Sequence, residues 1–181
     1  MSGADAAQNN ADTFDPSSAT IAIVTYNRSH LLSRLLESIV AMDPKPGRVV
    51  IVDNASVDDT TSVVESFRER LGAELLYRRL DKNTGGSGGF SEGMRLAWES
   101  GSTWIWLMDD DVEVLPDGLA LMGKWSSRFR SIQGRRYDYD GSEFYWQYRV
   151  ADRMGIPIPF APAGFDESGY KEMNSGCFEG M

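Results

Sequence analysis

The segment WIWLMDDDV, Trp104 to Val112, joins five apolar residues to three adjacent carboxylates, Asp109, Asp110 and Asp111. An apolar run of this length that ends at a polar break predicts a β-strand buried on both faces. Neighbouring carboxylates repel one another by roughly 1 kcal/mol per close pair even in water. Three of them at the end of a core strand therefore indicate a site that uses their charge.

The chain before this segment alternates between strand and helix patterns. Runs rich in β-branched and aliphatic residues predict strands at Ile21–Tyr26, Val49–Val52 and Glu74–Tyr77. Strands that alternate with helices at this spacing predict βαβ units, in which all strands of the sheet run parallel. The expected fold class is therefore α/β, with a mostly parallel sheet and helices on both faces.

Apolar residues at helical spacing predict one helix in each connection between these strands. Ser29 and Ser56 are the expected N-caps of the first two helices, because serine oxygens accept hydrogen bonds from free N–H groups. Asp58 and Asp59 are expected in the first turn of the second helix, where the helix dipole favours anions. The third helix is expected to bury one face made of Phe90, Met94, Ala97 and Trp98.

Polar segments follow every predicted strand at its carboxyl end. In open α/β sheets, ligands bind outside this edge. The convergence of separate polar segments therefore predicts a ligand site there. The segments are Thr25–Arg28, Asp53–Asn54, Asn83–Gly89 and Asp109–Asp111.

The glycine-rich segment Asn83–Gly89 (NTGGSGG) precedes the third helix. Glycine lets a backbone approach a ligand closely, and free N–H groups at a helix start attract phosphate. The alternative is a flexible turn without a ligand. The segment matches neither the Walker pattern nor the dinucleotide fingerprint.

The polar residues after the first two strands permit two interpretations. Asp53 either caps its turn with Asn54 and Ser56 or accepts a hydrogen bond from the imide N–H of a uracil base. Thr25, Asn27 and Arg28 are likewise either turn residues or contacts to a base or phosphate.

The three aspartates favour a metal site over an acidic turn. Asp109 and Asp111 lie two positions apart, so both can face one divalent cation. Hard oxygen ligands suit Mg²⁺ or Mn²⁺, which also bind the phosphates of a substrate.

Composition and charge exclude several classes of protein. The net charge of −9 argues against a nucleic-acid partner, which needs clustered positive charge. The single cysteine, Cys177, cannot form an internal disulfide, so a reducing, cytoplasmic compartment is expected. No apolar run approaches the length of a membrane span, and peripheral docking at the inner face of the membrane stays open. The first twenty residues lack the pattern of a signal peptide and predict a disordered tail.

Four motifs in this order resemble glycosyltransferase family 2: TYNR, VDNAS, NTGGSGGFSEG and WIWLMDDDV. Together they are most similar to the bacterial galactofuranosyltransferases and their rhamnosyltransferase relatives, and they cover Ile21 to Asp117. The resemblance implies the GT-A fold and an inverting, metal-dependent transfer from a UDP-sugar. The implied acceptor is a cell-envelope glycan or a lipid-linked saccharide.

The resemblance also implies roles for individual residues. Asp109 would meet the ribose or the metal, Asp110 the donor sugar and Asp111 the metal, with Mn²⁺ or Mg²⁺ as the ion. The remaining nucleotide-sugar contacts would be Thr25, Asn27, Arg28, Asp53, Asn54, Asn83, Gly86, Gly88, Gly89 and Arg95.

The resemblance leaves the catalytic base unplaced. Such enzymes carry a base carboxylate downstream of a segment like Asn174–Met181 (NSGCFEGM), so the base is expected beyond Met181. Asp166, Glu167 and Glu172 are the alternatives within the chain. The expected organisation is a tail at 1–20, a nucleotide-sugar-binding half at 21–125 and the start of an acceptor-side half at 126–181.

Two rival functions stay open from the sequence. A nucleotidyltransferase would share the acidic metal chemistry, but it would need a lysine or arginine in the glycine-rich segment, which has neither. A non-catalytic protein that only binds a nucleotide sugar is the second rival. Since no base is assigned, we expect the chain to bind UDP and metal but to transfer sugar poorly or not at all.

Overall fold

The structure of the chain is a computed structural model that describes residues 14–134, 137–142, 148–150 and 157–159. The chain divides into two compact units, residues 1–132 and 133–181, and each is described by itself. The second unit contains a two-stranded antiparallel pair. Its strands are β5 (Tyr148–Val150) and β6 (Pro157–Pro159).

The first unit is a four-stranded parallel sheet with the strand order β3-β2-β1-β4. The prediction of an α/β fold with a parallel sheet is confirmed. The strands are β1 (Ala19–Thr25), β2 (Arg48–Asp53), β3 (Glu74–Arg79) and β4 (Trp104–Asp109). The helices are α1 (Ser29–Val40), α2 (Thr60–Phe67), α3 (Gly85–Glu99) and α4 (Gly118–Gly123).

The two faces of the sheet are covered by different helices. Successive strand residues point to opposite faces, which divides the core into two layers. Ile21, Ile23 and Ile51 pack on the side of α1 and α2, together with apolar residues of those helices. Val24 and Val52 pack on the opposite side, where α3 lies over β1 and β2. Helices therefore cover both faces, as the sequence predicted.

Neither predicted serine cap is found. Arg28 occupies the N-cap position of α1 without a side-chain cap, and Ser29 is the first helical residue. Asp58 accepts hydrogen bonds from the N–H groups of both Ser29 and Thr60, at 2.9 and 3.2 Å. One carboxylate thus accepts hydrogen bonds from the starts of two helices. Asp58 and Asp59 were expected in the first turn of α2, but both precede this helix, and Asp59 is its N-cap.

Hydrogen bonding fixes the ionisation of Asp58. Burial pushes its pKa upward, but the hydrogen bonds from Thr60 and Ser29 together outweigh burial and lower the pKa to about 2. Asp58 therefore stays charged at neutral pH, and it is the anion at the amino end of α1.

The buried face of α3 differs from the predicted one. Met94 is half-exposed and Trp98 is 75% exposed. The buried positions are Gly89, Gly93 and Ala97, which recur every four residues. Small residues on this face let the helix axis approach the sheet closely, whereas large side chains would hold it away. The prediction is confirmed for Ala97 and for Phe90, which packs partly buried against the core. It is wrong for Met94 and Trp98, because it assumed that the largest apolar side chains face the core.

Strand β4 is less buried than predicted. Its apolar residues Trp104 to Leu107 are half-buried, and only Met108 is fully buried. Among the described strands β4 pairs with β1 alone, so it lies at an edge of the sheet. An edge strand lacks a neighbour on one side, which leaves its side chains partly accessible.

Candidate functional site

The carboxyl ends of β1 and β4 flank the point where the strand order reverses. The chain builds β1, β2 and β3 outward in one direction and then returns to place β4 on the other side of β1. Ligands of open α/β sheets bind at such switch points. Thr25 ends β1 and Asp109 ends β4, so two of the predicted polar segments, Thr25–Arg28 and Asp109–Asp111, meet at this crevice.

Asp110 is the buried centre of the crevice. The residue is 3% exposed, and its Oδ2 accepts a hydrogen bond from the Thr25 hydroxyl at 2.7 Å. Its Oδ1 accepts from Arg28 Nη1 at 3.2 Å, and the same nitrogen lies 3.1 Å from Asp111 Oδ2. The charge of Asp110 and its hydrogen bond raise the pKa of Arg28, so this arginine remains a cation.

Asp111 and Asp109 are the more accessible carboxylates of the motif. The side chain of Asp111 is 49% exposed, and Asp109 is half-buried at the last position of β4, opposite Val24 of β1. In the part of the chain that the structure describes, no three His, Cys, Asp or Glu side chains form a ready metal cluster. The predicted contacts of Asp109, Asp110 and Asp111 with metal or sugar stay predictions.

Asp53 is fully buried at the end of β2. Its Oδ1 accepts from the Ser56 N–H at 2.7 Å, which is the turn-capping interaction considered from the sequence. Its Oδ2 accepts from the Tyr77 hydroxyl at 2.7 Å and lies 3.6 Å from Arg79 Nε. Because Asp53 has no exposed surface, a uracil base could reach the carboxylate only after a neighbouring group shifts.

Tyr77 and Arg79 were missed by the sequence analysis. Both lie on β3, two positions apart, and Arg79 stands directly opposite Asp53 in the β2–β3 register. Burial raises the pKa of Tyr77 to about 12, and the Asp53 carboxylate acts in the same direction. The hydrogen bond with Thr61 lowers this pKa but is outweighed. Tyr77 is therefore a protonated donor at neutral pH. The signal that could have found these residues is the two-residue period that puts both side chains on one face of the strand.

The loop after β1 and the turn after β2 are tied together. Asn27 has a φ of +53°, which asparagine tolerates better than most residues. Its N–H donates to Ser56 Oγ at 2.9 Å, and its Oδ1 accepts from the Val57 N–H at 2.7 Å. Arg79 Nη2 donates to the Ser56 carbonyl at 2.6 Å. Asn27 thus holds the position of Arg28, the next residue.

The start of α3 is anchored to β2 through Asn54. Asn54 Oδ1 accepts from the Thr84 N–H at 2.8 Å, and Nδ2 donates to the Gly85 carbonyl at 3.0 Å. Asn83 Oδ1 accepts from the Gly85 N–H at 2.8 Å, and Gly85 has a φ of +72°, which favours glycine. The first turn of α3 is therefore fixed beside the crevice.

The glycines after Gly85 lie in the first turns of α3 instead of forming the predicted loop. A Cβ at Gly86 would meet no atom within 4 Å, so this position faces open space. A Cβ at Gly88 would collide with the Thr84 side chain, and one at Gly89 would lie 2.5 Å from Val24 Cγ1. Gly86 leaves room for a ligand, whereas Gly89 is required by helix–sheet packing.

Arg95 is not brought to the crevice. It lies ten residues after Gly85, which corresponds to about 15 Å along the helix axis. Its guanidinium donates to Glu92 at 2.7 and 2.9 Å and to Glu99 at 2.6 Å. These bonds raise its pKa and hold it on the surface of α3. The expectations for Asp166, Glu167 and Glu172 lie outside the described residues.

The fold and its polar carboxyl edge define a Rossmann-like α/β protein of the GT-A type, and the solved structures agree. A mannosyltransferase from Pyrobaculum calidifontis, solved with GDP-Man and Mn²⁺, matches with a TM-score of 0.53 and 28% identity. That match covers 62% of this chain and 33% of the mannosyltransferase. Staphylococcus aureus TarS, solved with UDP-GlcNAc, matches with a TM-score of 0.50 and 25% identity, covering 59% of this chain and 30% of TarS.

The chain belongs to glycosyl transferase family 2, whose family model matches residues 20–177. The family membership predicted from the four motifs is confirmed. Galactofuranosyltransferase GlfT1 of Mycolicibacterium smegmatis is 37% identical over 89 residues, which are 49% of this chain and 28% of GlfT1. TarS of Staphylococcus aureus is 29% identical over 126 residues, or 64% of this chain and 22% of TarS. The chain thus spans about a quarter of the length of these relatives. Every helix in the described ranges is too short or too polar to cross a membrane.

Proposed function

We propose that the crevice between β1 and β4 binds a UDP-sugar and that the protein transfers this sugar to a cell-envelope glycan or a lipid-linked saccharide. The observation that carries the proposal is the contact of Arg28 with Asp110 and Asp111 at the switch point of the sheet. It combines a cation for the diphosphate with carboxylates for a metal. The similarity to galactofuranosyltransferase GlfT1 and to TarS, which was solved with UDP-GlcNAc, supports the choice of a UDP-sugar as donor.

The first turn of α3 is the proposed diphosphate contact. No described residue accepts a hydrogen bond from the N–H groups of Gly86 or Ser87. Free N–H groups and the dipole at the start of a helix attract phosphate. The amino end of α1 is less suitable, because Asp58 already supplies an anion there.

The uridine is proposed to lie over the ends of β1 and β2. Asp53 is fully buried, so the proposal requires a neighbouring group to shift before the imide N–H of uracil can reach the carboxylate. Asp53 uses two of its roughly four acceptor positions, on Ser56 and Tyr77, so it then has capacity for that N–H. Thr25, Asn27 and Asn54 frame the same end of the crevice through their contacts with Asp110, Ser56 and Gly85.

The donor set of the crevice fits a divalent cation that is shared with a substrate. Mg²⁺ and Mn²⁺ use few protein carboxylates when phosphates supply the other ligands. Asp111, half-exposed, and Asp109, at the end of β4, would hold the ion. When bound, the ion would neutralise charge on the departing diphosphate. Transfer by single displacement with inversion belongs to the proposal, and we assign no base to the described residues.

A nucleotide panel tests the proposal by calorimetry. UDP with Mn²⁺ is expected to bind at least about tenfold tighter than CDP with Mn²⁺, because N3 of cytosine carries no hydrogen for an acceptor. A chelator is expected to weaken UDP binding. Comparable affinities for UDP, CDP and GDP would contradict the uridine assignment, and an absence of UDP binding with Mn²⁺ would contradict the proposed site.

A further inference from the structure

Hydrogen bonds, together with the peptide link between Asn27 and Arg28, connect β3 and the carboxyl ends of β2, β1 and β4 into one chain of contacts, which we call the edge relay. It consists of Tyr77, Asp53, Ser56, Asn27, Arg28 and the pair Asp110 and Asp111. The four sequence motifs contain the middle and the far end of the edge relay, but Tyr77 belongs to none of them. Its side chain nevertheless begins the relay.

The first link constrains a buried carboxylate. Tyr77 donates to Asp53 Oδ2 at 2.7 Å while Ser56 donates its N–H to Oδ1 at 2.7 Å. A buried charge that loses a donor either moves or forces its neighbours to move, because unpaired burial is costly. The Tyr77 hydroxyl therefore fixes the orientation of Asp53 and, through it, the position of Ser56.

The second part of the relay carries this constraint to Arg28. Ser56 Oγ accepts the Asn27 N–H at 2.9 Å, and Asn27 immediately precedes the arginine that contacts Asp110 and Asp111. Asn27 is held at a positive φ, a conformation that persists only where surrounding bonds support it. A loosened Ser56 would remove one of those bonds.

We propose that Tyr77 is a positioning residue for nucleotide binding, acting through Asp53, Ser56 and Asn27 on Arg28. The inference rests on the proposed function of the crevice. It assigns Tyr77 no contact with the reacting atoms. Arg79 supports the same turn from β3, because it donates to the Ser56 carbonyl at 2.6 Å.

Thr61 provides a matched control for Tyr77. Its hydroxyl lies 2.9 Å from the Tyr77 hydroxyl, and among the described residues it forms no hydrogen bond with another member of the edge relay. Thr61→Val removes one hydrogen bond of Tyr77 and leaves the bond to Asp53 in place. Tyr77→Phe removes both bonds and keeps the ring that packs against the core.

The test has two measurements on the full chain. Tyr77→Phe is expected to raise the Kd for UDP with Mn²⁺ about fivefold or more, whereas Thr61→Val stays within about twofold. In the double variant that combines Ser56→Ala with Tyr77→Phe, the fold increase in the Kd for UDP should be smaller than the product of the fold increases in the two single variants. Without nucleotide, amide hydrogen exchange at residues 26–29 should be faster in Tyr77→Phe than in the unsubstituted chain.

The outcomes separate this inference from the proposed function. Unchanged exchange at residues 26–29 in Tyr77→Phe would overturn the relay whether or not UDP binds. Unchanged UDP affinity in Tyr77→Phe, or fully multiplicative effects in the double variant, would also overturn it. If the unsubstituted chain does not bind UDP but Tyr77→Phe exchanges faster at residues 26–29, the edge relay is supported and the nucleotide site is refuted.

Discussion

Replacing Gly89 with alanine is expected to destabilise the folded chain by about 1–2 kcal/mol. The added Cβ would lie 2.5 Å from Cγ1 and 3.2 Å from Cγ2 of Val24, a buried residue near the end of β1. Valine has little freedom to rotate away, so α3 must shift, and overpacking costs about 1–3 kcal/mol. The higher helix propensity of alanine returns at most about 1 kcal/mol of this loss. Denaturant unfolding measures the difference.

Gly86→Ala is the matched control for Gly89→Ala. Both are glycines in the first turns of α3, but a Cβ at Gly86 meets nothing within 4 Å. Its stability should equal that of the unsubstituted chain or exceed it by up to about 1 kcal/mol. If the diphosphate approaches this turn, Gly86→Ala should nevertheless weaken UDP binding. Equal stability losses in the two variants would contradict the packing account of Gly89.

Asp110→Ala is expected to cost about 1–3 kcal/mol of folding free energy, although it removes a group from an acidic cluster. The substitution leaves the hydroxyl of Thr25, which is almost fully buried, without its acceptor. It also breaks the contact between Arg28 and Asp110. Net repulsion among the aspartates falls, but the loss of a buried partner is the larger effect. Denaturant unfolding in the absence of nucleotide measures this change.

Asp111→Ala is expected to show the opposite pattern. Its ion pair with Arg28 is half-exposed on both sides, and such pairs contribute at most about 1 kcal/mol. Stability should therefore change little, while the increase in melting temperature that UDP gives with Mn²⁺ over chelator should disappear. A stability loss in Asp111→Ala as large as in Asp110→Ala would contradict the distinction between the two residues. A full metal-dependent shift in Asp111→Ala would contradict its role as metal ligand.

The environments of the three aspartates explain how they coexist at one strand end. Asp109 closes β4 and is half-buried, Asp110 turns inward to Thr25, and Asp111 faces outward. The guanidinium of Arg28 stands between the last two and offsets their repulsion. The three-aspartate motif thus combines a structural carboxylate, Asp110, with two more accessible ones, Asp109 and Asp111.

The sequence was sufficient for the succession of strands along the chain and for the edge that carries the polar segments. Both depend on local patterns, namely aliphatic runs such as Val49–Val52 and the polar residues that follow them. The parallel direction of the strands follows from the helical crossover in each βαβ connection. These features need no knowledge of which side chains meet across the fold.

Contacts between distant segments could not be predicted in this way. Asp58 serves the helix starts at Ser29 and Thr60, and no local capping rule anticipates a donor 29 residues away. The burial of Gly89 in place of Trp98 depends on how closely α3 approaches Val24. Tyr77 reaches Asp53 only because β2 and β3 pair in a particular register.

The same limit applies to Arg95. The resemblance placed it behind the glycine-rich segment, but α3 carries it away from the sheet edge toward Glu92 and Glu99. The position of Arg95 follows from the start of α3 at Gly85, which lies in a segment that the sequence predicts to be a loop. A helix that starts five residues earlier moves every later side chain along and around its axis.

Binding of UDP and Mn²⁺ at the crevice is tested by amide hydrogen exchange of the full chain with and without both ligands. Slower exchange is expected at residues 25–28, 83–89 and 109–111, which border the crevice between β1 and β4. Residues 68–74, which lead into the amino end of β3, should exchange at an unchanged rate. Protection confined to residues 68–74, or no protection at the carboxyl edge under saturating UDP and Mn²⁺, would contradict the account.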